Sequence, residues 1–191
     1  NNTLKRQVEK SMECGDSCNT QVWSFPNHLG THVDCPNHFA QQGKQILDYK
    51  AEEWIFNEVH LLDHKLEPGE LLGVIDALEK IPANTQCLLI RSHFEQYRAK
   101  ELYWQNNPGL SAELGFWMRK NRPSIKIIGV DFISISSYTN REHGRVAHRA
   151  FLDEYESAEP IRLIEDMHLE KLQQSPSQVV VSPLRMSLAD G

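Results

Sequence analysis

The sequence predicts one α/β domain, and three observations support this fold class. The chain has 191 residues, which is enough for one domain with its own core and short for two. Apolar runs of strand length alternate along it with segments of helical periodicity. Turn residues separate these segments, as is typical of a protein in which strands and helices alternate. We therefore expect a single domain over residues 1–191.

The first half of the chain contains two predicted strands and one short helix. Residues 50–62 are rich in aromatic and apolar side chains, which predicts a strand within them. Residues 76–80 have the pattern of a short helix that Pro82 closes, and residues 86–91 have the pattern of a buried strand. Residues 1–20 are polar, and no element is predicted there.

The second half alternates more clearly between helices and strands. Ser111 is a good N-cap for a helix that runs to about residue 120. Residues 125–130 then have the pattern of a strand, and a second helix is predicted over residues 142–153. Further strands are predicted over residues 161–164 and 179–181. Periodicity alone does not give the order of these strands in a sheet.

Composition narrows the possible partners. The formal net charge is -6, which argues against nucleic acid because such binding needs a basic surface. No stretch approaches the roughly 20 apolar residues that cross a bilayer. Four cysteines are too few for a disulfide framework in a chain of this length, so we expect reduced thiols and a cytoplasmic location. Cys14 and Cys18 have the spacing of metal ligands, but no second pair completes a zinc site.

One short segment concentrates metal-binding side chains. His28, His32, Asp34 and His38 share one parity, so an extended chain would project them from one face. In a straight strand His28 and His32 would be about 13 Å apart, which is too far for one ion. The chain must therefore bend, and Gly30 is the residue that permits a bend. From the residues alone, a metal site and a solvated loop rich in histidine both stay open.

The same segment carries a family resemblance. The pattern His28-x-Gly30-Thr31-His32-x-Asp34-x-Pro36-x-His38-Phe39 resembles the signature of the kynurenine formamidase and cyclase family of metal-dependent hydrolases, which includes isatin hydrolase. Residues 107–113, 128–131, 147–152 and 163–167 also resemble family segments in the same order. The resemblance covers roughly residues 20–191. It implies an α/β fold of the swivelling β/β/α type, with a mixed sheet and flanking helices.

The resemblance also implies which residues bind metal. His28 and His32 match the ligands of one metal ion, and His148 matches the histidine ligand of a second. Asp34 and Glu165 match carboxylates that bridge the two ions. Imidazole and carboxylate are ligands that zinc and manganese accept. We therefore expect two Zn²⁺ ions in each chain, with Mn²⁺ as the alternative.

His38 matches the catalytic acid/base of the family, which is not a metal ligand. The implied activity is hydrolysis of a C–N bond in an amide or formamide, as in an arylformamidase, with N-formylkynurenine as the first candidate substrate. Ring opening of a cyclic amide, as in isatin hydrolase, is the second candidate. A metal-dependent cyclase or lyase is a third. A protein that binds metal without catalysis is the least favoured, because it has no use for His38.

Two assignments have a competitor nearby in the sequence. Glu159 lies near the usual family spacing after the second histidine, but Glu165 follows an apolar strand and has matching neighbours. His143 shares a predicted helix with His148, and again the second residue has the matching neighbours. We therefore expect Glu165 and His148 in the site.

The last two expectations concern the oligomeric state and the ends of the chain. The resemblance implies a homodimer or a higher homo-oligomer that acts on a small molecule. The chain begins at Asn1 without Met and ends at a segment that continues in the family. Both termini are therefore expected to be truncated.

Overall fold

The structure is a computed structural model that describes residues 4–154, 158–187 and 189–190. Its strands, in chain order, are β1 (Lys5–Lys10), β2 (Thr20–Ser24), β3 (His32–Asp34), β4 (Ile55–Phe56), β5 (Val59–Asp63), β6 (Leu71–Leu72), β7 (Cys87–Arg91), β8 (Gly109–Leu110), β9 (Ile127–Val130), β10 (Arg162–Glu165) and β11 (Val179–Val180). Its α-helices are α1 (Leu102–Gln105), α2 (Ala112–Asn121) and α3 (Arg141–Leu152).

Five of the strands form the central sheet, in the order β3-β10-β9-β7-β5. β5, β7, β9 and β10 run parallel to their neighbours, and β3 pairs antiparallel with β10 at one edge. β7, β9 and β10 are almost entirely buried, as expected for parallel strands covered on both faces. The predicted α/β fold with a mixed sheet is thereby confirmed.

The sheet separates two apolar clusters. Leu88, Ile128 and Leu163 face the cluster that packs against α2 and α3. The next residues along β7 and β10, Leu89 and Ile164, face the other cluster, which contains Trp54 and Phe56. This alternation means that odd-numbered residues of β10 point toward α3. Glu165 belongs to that face.

The predicted helices begin and end close to the expected residues. The side chain of Ser111 accepts a hydrogen bond from the backbone N–H of Leu114 at 3.1 Å, so it caps α2 as predicted. The helix predicted over residues 142–153 is present as α3, one residue earlier at each end. A Cβ at Gly115 would lie 3.0 Å from the Cβ of Ala150, so the glycine allows α2 and α3 to approach closely. Residues Asp76–Lys80 form a 3₁₀ turn where a short helix was predicted.

The predicted strands are also present, with small shifts. The strand expected within residues 50–62 is divided into β4 and β5. β10 covers Arg162–Glu165, so Glu165 is the last residue of the strand and does not follow it. The strand expected over residues 179–181 is the short β11.

The polar N-terminal region forms an element that the sequence did not predict. β1 and β2 make an antiparallel hairpin that is separate from the central sheet. All six residues of β1 are exposed, and Lys5–Lys10 has no alternation of apolar and polar side chains. The usual pattern of a half-buried strand is therefore missing from the sequence. Within the described part of the chain, no helix is both long and apolar enough to cross a membrane.

Candidate metal centre

The register between β3 and β10 brings the carboxylates of Asp34 and Glu165 close to His32. His32 is paired with Glu165, and Asp34 with Leu163, in the antiparallel ladder. The His32 Nε2 atom lies 3.4 Å from Asp34 Oδ1 and 3.5 Å from Glu165 Oε2. Two carboxylates and one imidazole therefore meet at the edge of the sheet, although 131 positions of the sequence separate Asp34 from Glu165.

Helix α3 supplies the second imidazole. The His148 Nε2 atom lies 3.5 Å from Asp34 Oδ2 and 3.4 Å from Glu165 Oε1. Asp34, His148 and Glu165 are 1%, 4% and 3% exposed. These buried groups are within reach of one another because α3 packs on the face of the sheet toward which Asp34 and Glu165 point.

Gly30 makes the bend that the spacing of the histidines required. It has a φ of 70°, a left-handed conformation that glycine adopts without strain. The bend places His28 Nδ1 2.9 Å from Asp34 Oδ1. The rings of His28 and His32 are 4.9 Å apart and nearly perpendicular. The predicted bend at Gly30 is thereby confirmed.

The extended segment ends sooner than the sequence predicted. Only His32, Val33 and Asp34 lie in a strand, and Pro36–His38 forms a 3₁₀ turn. The expectation that His38 projects from the same extended face as Asp34 is therefore wrong. The turn arises because the fixed φ of Pro36 suits the first position of such a turn.

The donor atoms fit divalent metal ions. Both carboxylate oxygens of Asp34 are buried, and in the described part of the chain imidazole nitrogens at 2.9–3.5 Å are the groups that contact them. The Nδ1 atoms of His32 and His148 contact the backbone carbonyls of Gly30 and Gly144 at 2.8 and 2.9 Å. These contacts assign the proton to Nδ1 and leave Nε2 as a free ligand atom.

The ligand atoms fall into two groups that share Asp34. His28, His32 and Asp34 form one group, and Asp34, His148 and Glu165 form the other. Within each group the ligand atoms lie within 4.8 Å of one another. A shared carboxylate is the arrangement that two neighbouring cations need, because it offsets their repulsion. The residues present therefore fit the metal cofactor expected from the sequence.

The protonation of the cluster shows how strongly it attracts positive charge. Burial lowers the pKa values of His32 and His148, but hydrogen bonds and charge from the two carboxylates raise them to about 9 and about 10. Burial raises the pKa of Asp34, but hydrogen bonds from His148, His28 and His32 hold it well below its usual value. The Asp34 carboxylate is therefore ionised and attracts cations, either protons on the imidazoles or metal ions.

Glu165 is further fixed by groups behind it. Its Oε1 atom accepts hydrogen bonds from the backbone N–H of Ile135 at 2.7 Å and from the hydroxyl of Ser134 at 3.1 Å. The hydroxyl of Ser136 contacts His148 Nδ1 at 3.1 Å. The loop after β9 thus orients one carboxylate, Glu165, and one imidazole, His148. Sequence reasoning did not predict this role.

His38 lies beside the ligand groups without contacting Asp34 or Glu165. Its ring is 4.2 Å from the ring of His28 and 6.0 Å from that of His148. Its Nδ1 atom lies 2.9 Å from Asp190 Oδ2. Sequence reasoning missed Asp190 as a site residue, because it lies 152 positions from His38 and no other histidine or carboxylate is near it in the sequence.

The two competing residues lie outside this cluster. Glu159 is exposed and lines a different cavity, together with Lys44 and Lys126. His143 is exposed and contacts the side chain of Asn140. The structure therefore brings Glu165 and His148 together with the motif histidines, and it leaves their competitors outside.

The cysteines take no part in the cluster. Cys14 and Cys18 are exposed and free, and in the portion described neither joins a group that could hold a metal ion. Cys35 follows Asp34 but is fully buried in the cluster on the other face of the sheet. Burial raises the pKa of its thiol to about 12, which keeps it neutral.

The fold and the site together define a class of protein: an α/β domain with a cluster of histidine and carboxylate side chains, whose donor atoms fit divalent metal ions, at one edge of a mixed sheet. The chain belongs to the family described as Putative cyclase, whose sequence profile matches residues 3–137. The family resemblance expected from the motif is thereby confirmed.

Named relatives match almost the whole chain. Cyclase-like protein 2 of Oryza sativa subsp. japonica is 29% identical over 192 residues, which cover 97% of this chain and 66% of the rice protein. The kynurenine formamidase of Bacillus cytotoxicus is 24% identical over 187 residues, which cover 97% of this chain and 82% of the relative. The chain thus spans about two thirds of the rice protein and more of the bacterial one.

A solved structure shares the fold. Isatin hydrolase A from Labrenzia aggregata, determined with benzyl benzoate bound, superposes with a TM-score of 0.77 over 98% of this chain and 79% of that protein. The two sequences are 16% identical. At this identity the similarity establishes the fold, and the function must be argued from the site.

Proposed function

We propose that this protein is a metal-dependent hydrolase that cleaves a C–N bond in an amide or formamide. The observation that carries the proposal is the pair of ligand groups that share Asp34, with His38 beside them and outside both groups. A purely structural metal site has no use for such an uncommitted base. The names of the kynurenine formamidase and isatin hydrolase relatives support the same reaction class.

The proposal includes two divalent cations in each chain. His28, His32 and Asp34 would hold one, and Asp34, His148 and Glu165 the other. Zinc is the first candidate and manganese the second, because imidazole and carboxylate ligands suit both. When bound, such ions lower the pKa of water and polarise a carbonyl. The ligand residues would hold the ions at the edge of the sheet.

Proton transfer and the exclusion of water are carried out by side chains of the protein itself. His38 acts as the acid/base: its Nε2 takes the proton that water loses on adding to the carbonyl carbon. It then gives that proton to the nitrogen that leaves. Phe39 stacks on His148 at 4.7 Å between ring centroids, so an apolar ring covers that side of the ligand and restricts the approach of water.

The substrate class is proposed in an order set by the relatives. N-formylkynurenine comes first, because two bacterial relatives are named kynurenine formamidase, and the match with this chain covers 82% of the length of each. Isatin comes second, because the fold is shared with isatin hydrolases. A metal-dependent cyclase or lyase is the third candidate, supported by a structural relative described as a potential metal-dependent hydrolase with cyclase activity.

We also propose a homodimer or higher homo-oligomer. The β1–β2 hairpin exposes Val8, Val22 and Trp23 by 45–50%, and an isolated two-stranded hairpin is only marginally stable in water. A second copy of the chain would cover these apolar side chains. We place the protein in the cytoplasm, in keeping with its four free cysteines.

Metal content and substrate screening test the proposal together. The protein is purified without chelators and without a His-tag, and its metal content per chain is measured by mass spectrometry. We expect two ions, and turnover of N-formylkynurenine or isatin that chelation abolishes. Absence of metal after incubation with zinc and manganese would overturn the proposed function. Turnover of neither an amide nor a formamide by the protein with bound metal would do the same.

A further inference from the structure

Asp190 lies outside the residues predicted for the site, yet its carboxylate is directed at the proposed acid/base. We propose that Asp190 is a positioning residue that holds His38 with a proton on Nδ1, so that Nε2 is free to exchange protons with the substrate. This inference rests on the proposed role of His38 as the acid/base. It adds a residue for which the sequence pattern gave no role.

The contacts of the carboxylate fix its orientation. Asp190 Oδ2 lies 2.9 Å from His38 Nδ1, which is hydrogen-bond distance. The other oxygen, Oδ1, accepts a hydrogen bond from Asn27 Nδ2 at 2.6 Å and lies 3.4 Å from His28 Nε2. Because both oxygens are engaged on different sides, the carboxylate cannot rotate freely, and the direction of its bond to His38 is set.

The backbone that carries Asp190 is anchored beside the metal centre. Its carbonyl accepts a hydrogen bond from the N–H of Cys35 at 2.8 Å, and the carbonyl of Ala189 accepts one from Ile46 at 3.4 Å. Ala189 is buried in the same apolar cluster as Cys35. Since Cys35 directly follows Asp34, the anchor ties Asp190 to the strand that supplies the central carboxylate. The carboxylate is thus held in place by main-chain bonds as well as by its own contacts.

The chemistry of imidazole explains why such a partner is useful. A neutral histidine carries one proton, and a carboxylate that accepts from Nδ1–H selects the form in which Nε2 is the acceptor. The same carboxylate stabilises the imidazolium that forms when Nε2 takes a proton. The carboxylate gives and takes no proton itself: the proton from water goes to His38 Nε2 and then to the leaving nitrogen as the C–N bond breaks.

A different use of the same residues must be separated by experiment. His28, His38 and Asp190 have ligand atoms within 4.8 Å of one another and could hold an ion themselves. In the structure His28 also lies 2.9 Å from Asp34, and the Asp190 Oδ1 atom accepts from the amide of Asn27, which is not a ligand. These contacts favour a hydrogen-bonding role for Asp190.

Kinetics of Asp190→Asn provide the first test. We expect kcat to fall about 10- to 100-fold, less than the roughly 10²–10⁴-fold that an acid/base itself contributes, with KM within twofold and metal content unchanged. In a His38→Ala background the same substitution should have no further effect, because Asp190 acts through His38. The matched control is Asp63→Asn, which removes a carboxylate paired with His93 at 2.5 Å outside the site. It should leave kcat unchanged.

Three outcomes would overturn the proposal. Loss of an ion per chain in Asp190→Asn would make the residue a ligand. A higher KM with unchanged kcat would make it a contact of the substrate. A full effect of the substitution in the His38→Ala background would mean that it acts by another route.

Nitrogen NMR of histidine-labelled protein tests the inference without any turnover. The signals of His38, assigned by their loss in His38→Ala, should show the proton on Nδ1 in the wild-type protein with bound zinc. In Asp190→Ala they should show a mixture of the two neutral forms. An Nδ1-protonated His38 in both proteins would overturn the role of Asp190. Failure of the proposed hydrolase reaction would leave this result unchanged, so the two failures can be distinguished.

Discussion

The candidate metal centre and the end of strands β5 and β7 each combine histidine with aspartate, but in opposite surroundings. At the second place Asp63 contacts His93 and Arg91, each at 2.5 Å. Asp63 and His93 are nearly half exposed, and the guanidinium of Arg91 supplies a fixed positive charge. Asp34, by contrast, is 1% exposed, and among the described residues its charged contacts are the histidines His28, His32 and His148.

The difference shows which observation identifies a metal site. A carboxylate with a partner arginine is already neutralised, whereas a buried carboxylate without one strongly favours binding a cation. Both oxygens of Asp34 are buried, and the groups that contact them in the described residues are imidazole nitrogens: Nδ1 of His28 and the Nε2 atoms of His32 and His148. Burial and the kind of partner, imidazole at Asp34 and guanidinium at Asp63, therefore separate the two clusters, although both combine histidine with aspartate.

Removal of the central carboxylate should have the largest effect. Asp34→Asn should lose bound metal and reduce hydrolysis to the background rate, because both ligand groups share Asp34. Mass spectrometry of metal content and an assay with N-formylkynurenine or isatin measure the two effects. Asp63→Asn, the counterpart in the exposed cluster, should keep both metal and activity. Two ions retained by Asp34→Asn would contradict the bridging role.

The choice between two glutamates gives the next largest contrast. Glu165→Gln should lose at least one ion and about 10²-fold or more of the activity. Replacing a ligand should cost more than replacing a residue that only supports a ligand, which typically costs about 10- to 100-fold. Glu159→Gln should change neither, because that side chain is exposed and outside the cluster. The reverse pattern would show that the alignment of the acidic segment before β10 is wrong.

His38→Ala should separate catalysis from metal binding. We expect unchanged metal content and a loss of about 10²–10⁴ in kcat, the usual contribution of a general acid/base. His93→Ala removes the corresponding imidazole of the exposed cluster and should leave kcat unchanged. If His38→Ala instead lost an ion, the residue would be a ligand and a different group would have to act as acid/base.

The sequence predicted the local part of this site well. His28, His32 and Asp34 lie within seven consecutive positions, so a distance argument was enough to require the bend that Gly30 makes. The cap at Ser111 and the buried strands were predictable for the same reason, since each depends on neighbouring residues.

The predictions that failed did so for three different physical reasons. Asp190 reaches His38 across 152 positions, and nothing in its own surroundings marks it as a partner. The turn at Pro36–His38 replaced the expected extended chain, because a local preference of proline outweighed the simple parity argument. The β1–β2 hairpin was missed because its exposed strands lack an apolar face.

The pH dependence of stability should also distinguish the two clusters. In the metal-free protein His32 and His148 have pKa values raised to about 9 and about 10. Their protonation therefore stabilises the fold fully below the unfolded pKa of about 6.5, and this contribution is lost as pH rises through those values. Metal binding has the opposite trend, because it needs the neutral imidazoles.

Thermal unfolding of the two forms measures this trend. The difference in Tm between metal-loaded and metal-free protein should widen between about pH 6.5 and pH 9. His93→Gln, in the exposed cluster, should leave the widening unchanged. A constant difference across this range would contradict the proposed competition between protons and metal.

The smallest effect is expected behind His148. Ser136→Ala removes the hydroxyl that contacts His148 Nδ1 at 3.1 Å, but the carbonyl of Gly144 still holds the same atom at 2.9 Å. Metal affinity should therefore fall by about 10-fold at most, at the low end for such partners. The matched control is Ser137→Ala, whose hydroxyl contacts Thr139 and no ligand. Competition with a chelator measures both affinities, and a loss above about 100-fold would show that the hydroxyl, and not Gly144, orients the imidazole.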